Sequence, residues 1–506
     1  MGEERERAGG AEGPGLPKAL PPLAAAALVF VAAGAVLMLE ILAVRLLAPY
    51  VGLTLETTTS IIGAALGGIA LGAAVGGYFA DRTNTYLLIV GLLVGGGLLT
   101  LLTVPIVHLL GPEARGEGDI AALGITIVAL VPAAAALSAV SPAVAHLQLH
   151  DLRASGTIVG RLSAWATAGA LVGTFGTGFV IVPLMPVDTA VLVIGAALVG
   201  VGLTLAVVSS VPPAGLAAVA LLAVALGALT ATSDSPCLRD SKYHCLSLVS
   251  DPERPGNFEL LLDEVHNSYV DVDDPEVLGY AYTRWIAEGI DAGYPGKAPI
   301  DAVFVGGGGL SLPRWLDATR PGSRATVLEV DEEIIHLVED RIRLPAPPQL
   351  SVEIGDARVT MLELPTDAAD VVVGDAFSGY TVPWQLTTVE WLQEVQRVLK
   401  PDGLYAVNLI DYEPADFFAA EEATFLEVFD HVQLAARVGE DERPGGGNLI
   451  LFGSDRPLPP LVTSRAAQAE GVATYTQAAV EELASGAEVL RDDFAPVDQL
   501  RTITIG

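Results

Sequence analysis

The first half of the chain is a series of apolar segments separated by short polar breaks. Each segment has about 20 residues or more, which is enough for a helix to cross the hydrocarbon core of a bilayer. The segments cover residues 23–48, 60–80, 87–110, 120–147, 158–184, 189–209 and 214–230. Small residues recur inside them, as at Gly68, Gly72 and Gly76, and small residues at this spacing let helices pack closely in lipid. The pattern predicts a multi-pass α-helical membrane domain of about seven helices.

The second half has the mixed pattern of an α/β domain. Short apolar strands near residues 246–249, 258–262 and 268–272 predict a small β unit. Strand and helix patterns then alternate between residues 302 and 451. Such alternation favours a mostly parallel, doubly wound Rossmann-like sheet, in which ligands bind beyond the carboxyl ends of the strands.

These patterns divide the chain into five segments. They are a disordered tail at 1–22, a transmembrane domain at 23–232, a linker with the small β unit at 233–298, a Rossmann-like nucleotide-binding catalytic domain at 299–455 and a C-terminal extension at 456–506. The apolar stretch after the tail is too long for the core of a signal peptide, so we expect it to remain as an anchor.

Composition and charge narrow the range of partners. Hydrophobic residues make up 51% of the chain, and the formal net charge is −33, most of it in the second half. An acidic soluble domain repels nucleic acid backbones and attracts cations. We therefore expect a lipid bilayer as a partner of the first half and no nucleic acid.

Two pairs of residues in or near the apolar half allow more than one interpretation. Glu40 and Arg45 lie within the first span, where ionisable groups are costly. They indicate either a transport or binding site or an ion pair that locks helices together.

Cys237 and Cys245 follow the last span and form either a disulfide on an oxidising face or two thiols in the cytosol. Two cysteines and one nearby histidine are too few for a closed zinc site, so no metal is expected.

Four elements of the second half fall at predicted strand ends. The Gly306–Gly309 loop lets the backbone approach a ligand, and Glu329, about 20 residues on at the end of the next strand, is placed to accept from ribose hydroxyls. Asp356 follows a short strand and is placed to accept from an adenine amino group. Asp375 ends an apolar strand. Together they predict a site for an adenosyl ligand.

The order of these motifs resembles the spermidine synthase-like (polyamine aminopropyltransferase) family. The motifs are the glycine loop, Val-Leu-Glu-Val-Asp, Gly-Asp-Ala-Arg, Val-Val-Gly-Asp-Ala-Phe and Arg-Val-Leu-Lys-Pro-Asp-Gly. The flanking pieces at 262–269 and 492–500 also match, and the chain is most similar to bacterial members with an N-terminal membrane domain. The resemblance implies decarboxylated S-adenosylmethionine, or S-adenosylmethionine, as the co-substrate, with no metal.

The resemblance implies a role for each matching residue of the nucleotide pocket. Gly306, Gly307 and Gly308 would line the sulfonium side of the co-substrate. Glu329 would hold the ribose. The adenine would contact Asp356 and Ala357.

The same resemblance implies the catalytic residues and the acceptor side of the site. Asp375 would be the base and Tyr282 its catalytic partner, because an amine must lose its proton before it can attack the carbon next to a sulfonium. Tyr282, Asn267 and Ser378 would contact the acceptor amine.

Three departures from the family pattern weaken the polyamine side of the pocket. Gly309 stands where the family has an aspartate for the amino group of the decarboxylated co-substrate. Ser378 replaces a second acceptor-binding aspartate, and Thr283 and Arg284 replace the His/Gln-Glu that follows the tyrosine.

Three functions remain open on the sequence. The first is a membrane-anchored aminopropyltransferase that acts on a polyamine such as putrescine. The second is an S-adenosylmethionine-dependent methyltransferase. The third is a transporter or sensor whose second half binds a nucleoside or polyamine without catalysis. The expected location is the cell membrane, with the catalytic domain in the cytoplasm. A small-molecule amine is the expected substrate, and a homodimer is a possible assembly.

Overall fold

The computed structural model describes residues 20–115, 119–149, 155–208, 211–345, 348–379, 381–439 and 443–502. The chain divides into two compact units, with the boundary between Cys245 and Leu246. The sequence places this boundary at residue 232. It lies later in the structure because segment 233–245 packs with the helices of the first unit.

The described part of the first unit is helical apart from one two-residue strand, β1 (Arg239–Asp240). The helices are α1 (Pro22–Val51), α2 (Leu55–Ala80), α3 (Thr85–Ala114), α4 (Asp119–Ala129), α5 (Val131–Ser138), α6 (Val140–Gln148), α7 (Ser155–Gly176), α8 (Val182–Leu184), α9 (Val187–Val208) and α10 (Pro213–Ala231). A π-helical turn, Thr177–Ile181, joins α7 to α8.

Six helical segments of the described chain are long and apolar enough to cross a membrane. A seventh candidate is the broken segment formed by α4 with α5 and α6, which bends by 46°. It runs alongside α2 in the same direction, because Gly68 lies against Val131 and Gly76 against Ala139. A Cβ atom on Gly76 would come within 2.6 Å of the Ala139 Cβ atom, so glycine permits this close packing. The expected number of about seven helices is reached when this bent segment is counted.

Arg45 and Glu40 do not form the ion pair that was one interpretation of the sequence. The Arg45 guanidinium donates hydrogen bonds to the backbone carbonyls of Ser241 (2.7 Å) and Tyr243 (2.5 Å). One carboxylate oxygen of Glu40 is buried without a hydrogen-bond partner among the described residues. Arg45 therefore anchors the segment after α10 to α1, a contact between residues almost 200 positions apart that local sequence does not reveal.

Cys237 and Cys245 form a disulfide, with their Cα atoms 5.2 Å apart. Of the two alternatives that the sequence leaves open, the structure has the bonded form. The carboxylate of Asp240 lies within 4.8 Å of both sulfurs, which could bind a metal ion only as reduced thiolates. That carboxylate also accepts a hydrogen bond from the backbone N–H of Val187 (3.3 Å).

The second unit begins with the predicted small β unit. Strands β2 (Cys245–Ser250), β3 (Phe258–Leu262) and β4 (Val265–Val270) pair antiparallel. Helix α11 (Ala281–Gly293) follows and leads into the main sheet.

The main sheet has eight described strands in the order β12-β10-β11-β9-β8-β5-β6-β7. Strands β5 to β9 are parallel, and β10, β11 and β12 extend the sheet antiparallel. Their bounds are β5 (Asp301–Val305), β6 (Arg324–Glu329), β7 (Leu350–Ile354), β8 (Ala369–Gly374), β9 (Leu399–Asp411), β10 (His431–Val438), β11 (Pro444–Ser454) and β12 (Val472–Tyr475). Strand β12 lies in the predicted C-terminal extension, so that segment contributes to the sheet.

Helices cover both faces of this sheet. Along β5, Ala302 and Phe304 face a core shared with α11, α12 and α13, whereas Val303 and Val305 face a core shared with α14, α15 and α16. The alternation is the two-residue period of a strand. The remaining helices are α12 (Ser311–Thr319), α13 (Glu332–Glu339), α14 (Ala357–Glu363), α15 (Val389–Val398), α16 (Asp416–Val428), α17 (Arg465–Ala469), α18 (Gln477–Leu483) and α19 (Val497–Leu500). The predicted doubly wound, Rossmann-like class is confirmed.

Candidate functional site

A cavity of about 310 Å³ lies at the carboxyl ends of β5 and β8. The strand order reverses between these neighbours, since β6 and β7 lie on one side of β5 and β8 and β9 on the other. Ligands of open α/β sheets bind at such a point, and the volume is typical of a small-molecule pocket. Its wall contains six of the predicted site residues: Asn267, Tyr282, Gly306, Gly307, Gly308 and Asp375.

The glycine loop approaches the acidic residues closely because it has no side chains. Gly306 (φ +97°) and Gly308 (φ +45°) adopt left-handed backbone conformations. A Cβ atom on Gly306 would collide with the backbone carbonyl of Asp375, and one on Gly307 would lie 3.0 Å from Oε2 of Glu329. The glycines therefore allow the backbone to form one wall of the cavity.

Asp375 follows β8, and its backbone N–H donates to the carbonyl of Val305 (2.8 Å). The Tyr282 hydroxyl donates to Oδ2 of its carboxylate (2.9 Å), and the Asn408 amide donates to Oδ1 (2.9 Å). Burial raises the pKa of Asp375 to about 6, and the two donated hydrogen bonds oppose that rise. A carboxylate with this pKa is ionised at pH 7 and is a stronger proton acceptor than an exposed aspartate.

Asn408 and Asn448 also line the cavity, and sequence reasoning missed both. Asn408 is 2% exposed on β9, and its side-chain oxygen accepts a hydrogen bond from the Asn448 amide (3.0 Å). This bond orients the Asn408 amide so that its N–H group points to Asp375. The sequence does contain one indication of this role. Asn408 is an amide inside the apolar run Leu404–Leu409, and a polar side chain buried in a strand needs a hydrogen-bond partner.

Tyr282 lies at the start of α11 beside Asp375. Burial, together with the neighbouring carboxylate, holds the pKa of Tyr282 well above its ordinary value. Its hydroxyl therefore stays protonated and acts as a hydrogen-bond donor. The Tyr280 ring stacks on the Tyr282 ring with centroids 6.1 Å apart and planes at 29°.

Glu329 lies at the end of β6, behind Gly307, and not on the cavity wall. Its Oε2 accepts from the Gly307 N–H (2.6 Å) and its Oε1 from the Asp331 N–H (2.8 Å). Burial raises the pKa of Glu329, and these backbone hydrogen bonds oppose the rise. Each oxygen keeps lone-pair capacity for another donor. The ribose-binding role of Glu329 stays a prediction.

Three other predicted residues also lie outside the cavity wall. Asp356 caps α14 by accepting the Arg358 N–H (2.9 Å), and Ala357 is the buried first residue of that helix. Ser378 is exposed, and its N–H donates to the Thr381 carbonyl (2.8 Å). Their predicted contacts with adenine and acceptor stay predictions.

Strand β4 occupies the space beside Gly309. The Ser268 hydroxyl accepts the Gly309 N–H (2.8 Å) and donates to Oδ1 of Asn267 (2.7 Å). A Cβ atom on Gly309 would lie 2.5 Å from Cγ2 of Val270 and 2.9 Å from the Ser268 Cβ. An aspartate at this position would require β4 to move.

The two residues after Tyr282 have structural partners. The Thr283 hydroxyl donates to the Tyr280 carbonyl (2.8 Å). Arg284 donates to the carbonyls of Leu278 and Gly279 and forms an ion pair with Glu470 (2.6 Å). Arg284 therefore fixes the loop before α11, while Thr283 lines the cavity.

Comparison with known proteins agrees with this fold. Residues 303–407 match the model of a family described as a methyltransferase domain. The chain is 29% identical over 133 residues to a polyamine aminopropyltransferase of Vibrio vulnificus, which covers 26% of this chain and 44% of that protein. It is 23% identical over 164 residues to a polyamine aminopropyltransferase of Neisseria meningitidis, and this match covers 32% of this chain and 60% of that protein.

Two similar solved structures are a probable spermidine synthase and a methyltransferase-like protein. A probable spermidine synthase from Corynebacterium glutamicum is 28% identical and matches 50% of this chain and 95% of its own, with a TM-score of 0.46. Human methyltransferase-like protein 13 in complex with SAH is 18% identical to this chain, with a TM-score of 0.30. The match covers 44% of this chain and 100% of that protein's chain.

The fold and the curated relatives together define an adenosylmethionine-type Rossmann-like protein. More narrowly, the partial matches to polyamine aminopropyltransferases support a spermidine synthase-like protein, and this chain has in addition an N-terminal region of apolar helices. The chain spans about half the length of the curated relatives it matches.

Proposed function

We propose that this protein is a membrane-anchored aminopropyltransferase of the spermidine synthase type. It would transfer the aminopropyl group of decarboxylated S-adenosylmethionine to an amine, for which putrescine is the first acceptor to test. The observation that supports this most is the Asp375 carboxylate, held between the Tyr282 hydroxyl and the Asn408 amide beside the glycine loop.

These residues suit the chemistry of amine alkylation. The acceptor nitrogen forms a bond to the carbon next to the sulfonium, and the carbon–sulfur bond breaks with its electron pair moving to sulfur. The products are the alkylated amine and neutral methylthioadenosine. The proton lost by the amine goes to Asp375, while Tyr282 and Asn408 keep the carboxylate in place through donated hydrogen bonds.

The proposal assigns the rest of the site by the family resemblance. Gly306, Gly307 and Gly308 would contact the sulfonium side of the donor, and Glu329 the ribose. Asp356 with Ala357 would receive the adenine. Asn267, Tyr282 and Ser378 would contact the acceptor amine.

A methyltransferase is the second candidate. The matched family model is described as a methyltransferase domain, and β4 fills the space in which an amine-binding aspartate would stand at Gly309. Both features are compatible with S-adenosylmethionine as the donor.

The apolar helices are proposed to cross the cell membrane, with the soluble unit on the cytoplasmic face. Counting the bent α4–α6 segment, seven crossings put the two ends of the helical unit on opposite sides. A cytoplasmic second unit therefore requires the residue-22 end of the helices to lie on the opposite side of the membrane.

Amine-dependent release of methylthioadenosine from decarboxylated S-adenosylmethionine tests the proposal. The full chain in detergent should release it with at least one amine, and Asp375→Asn should abolish release. The matched control is Asp430→Asn, which removes an exposed carboxylate outside the cavity wall. No release with any amine, from protein that still binds an adenosyl donor, would refute the proposal.

A further inference from the structure

The charges on the cavity wall restrict the acceptor. Among the described residues that line the cavity, Asp375 is the only carboxylate. The polar groups around it are neutral, as in Asn267, Asn448 and Ser311. His266 also lines the cavity, but its ring is largely exposed and pairs with Glu259, whose oxygen lies 2.6 Å away.

A single carboxylate can balance a single ammonium group. Removing an ammonium ion from water is costly unless an opposite charge or several hydrogen bonds replace the water. Alkyl amines carry a proton at neutral pH, so a diamine brings two charges into the cavity, whereas the sulfonium and ammonium charges of the proposed donor are the same for every acceptor and cancel when acceptors are compared. Asp375 can balance the first. The second would face amides, hydroxyls and apolar carbon, since the nearby carboxylate of Glu259 lies outside the cavity wall and is already paired with His266.

The remaining wall suits a neutral body. Apolar side chains contribute much of it: Phe304, Leu312, Pro313, Val373, Phe377 and Ile410. The stacked rings of Tyr280 and Tyr282 add a flat surface. The Tyr280 hydroxyl is buried without a hydrogen-bond partner among the described residues, so it can bond to a neutral polar group of a ligand.

We propose that the acceptor is a primary amine with one ammonium group on a neutral, largely apolar body, rather than a diamine or longer polyamine. This rests on the proposed function in one respect, that Asp375 receives the proton of the acceptor. It departs from the polyamine in the name of the curated relatives and places putrescine, the first acceptor to test, behind a monoamine of the same length.

Matched amines test the proposal on the full chain in detergent. Butylamine and putrescine have the same four-carbon chain and differ by one terminal amino group, and phenethylamine adds an aromatic body. Binding is measured by titration calorimetry at pH 7.5. We expect butylamine to bind about tenfold or more tightly than putrescine, and phenethylamine at least as tightly as butylamine, because the second ammonium loses its hydration without a partner. A ratio of butylamine to putrescine affinity below about threefold, or its reversal, would overturn the proposal.

An isosteric variant adds the missing charge. Asn267→Asp places a second carboxylate on the cavity wall and keeps an acceptor for the Ser268 hydroxyl (2.7 Å). Its putrescine affinity should rise about tenfold relative to butylamine. The control Gln499→Glu adds a carboxylate at an exposed position outside the cavity wall and should leave the ratio unchanged. An unchanged ratio of putrescine to butylamine affinity in a folded Asn267→Asp protein would contradict the charge argument. If this variant does not fold, the ratio measured on the wild-type protein tests the proposal.

Binding and turnover separate this inference from the proposed function. If butylamine binds more tightly than putrescine but no methylthioadenosine is released, the monoamine preference is supported and aminopropyl transfer is refuted. A higher kcat/KM for putrescine than for butylamine would support aminopropyl transfer and refute the acceptor class.

Discussion

Replacement of Asn408 tests how the site keeps its carboxylate ionised. The Asn408 N–H donates to Oδ1 of Asp375 and therefore stabilises the charged form. A hydrogen bond to a charged group contributes about 1.5–3 kcal/mol, and one pKa unit corresponds to about 1.4 kcal/mol. Asn408→Ala should therefore raise the pKa of Asp375 from about 6 by roughly one to two units, to about 7–8.

The expected kinetic result follows from the ionised fraction. At pH 7 that fraction is about 0.9 for a pKa near 6, and it falls to between about 0.5 and 0.1 in the variant. The assay is kcat/KM for amine-dependent methylthioadenosine release between pH 5 and 10, expressed as the ratio of variant to wild type so that the ionisation of the amine cancels. The ratio should be lowest at acidic pH and rise to a plateau above about pH 9.

The control is Gln433→Ala, which removes another largely buried amide of the same sheet. The Gln433 side chain donates to the carbonyls of Leu458 and Pro459, outside the cavity wall. Its profile should keep the wild-type midpoint. An Asn408→Ala profile with an unchanged or lower midpoint would refute the proposed support of the ionised carboxylate.

Four further outcomes are expected. Glu329→Ala should weaken adenosyl-donor binding by titration at least tenfold, since it removes the proposed acceptor of the ribose hydroxyls together with the carboxylate that accepts from the Gly307 N–H; unchanged affinity would refute its ribose role. Gly309→Ala should destabilise the second unit by about 1–3 kcal/mol through contact with β4, measured by thermal unfolding, and a neutral effect would contradict the tight packing. Burial raises the pKa of Glu422 to about 9, so the folded chain keeps a proton there that the unfolded chain releases above about pH 4.5, and stability falls as pH rises between these values. Glu422→Gln should therefore raise the melting temperature at pH 8 more than at pH 5, and equal shifts would argue against this linkage. The Cys237–Cys245 disulfide conflicts with a cytoplasmic position of this segment, because disulfides are rare in a reducing cytosol; alkylation in cells before lysis decides between them, since thiols would support the cytoplasmic face and a disulfide would place the segment on the oxidising side.

The sequence predicts those parts of the fold that follow from local periodicity. The parallel strands, the small β unit and the apolar helices have clear patterns, and the structure has them within a few residues. Gly306 and Asp375 could be placed together because both follow parallel strands, whose carboxyl ends meet at one edge of the sheet.

Helix α16 has a feature that local periodicity does not predict. Its sequence contains Glu421 and Glu422, which suggest an exposed face, yet both side chains are buried. Burial raises the pKa of both carboxyl groups, that of Glu422 to about 9, so Glu422 is neutral at pH 7. A polar residue that is neutral in the core looks identical in the sequence to a charged one on the surface.

The missed site residues depend on contacts between distant parts of the chain. Asn408 lies 33 positions from Asp375 and 40 from Asn448, and only the pairing of β9 with β8 and β11 brings the three together. Arg45 contacts a segment almost 200 residues away for the same reason. No local pattern marks such partners.

Direct competition between two donors tests the central claim. The full chain is given equal concentrations of S-adenosylmethionine and its decarboxylated form with an amine acceptor, and the nucleoside products are separated and identified by mass spectrometry. The account predicts methylthioadenosine as the dominant product, its loss in Asp375→Asn and its persistence in Asp430→Asn. S-adenosylhomocysteine as the dominant product would contradict aminopropyl transfer and identify the protein as a methyltransferase.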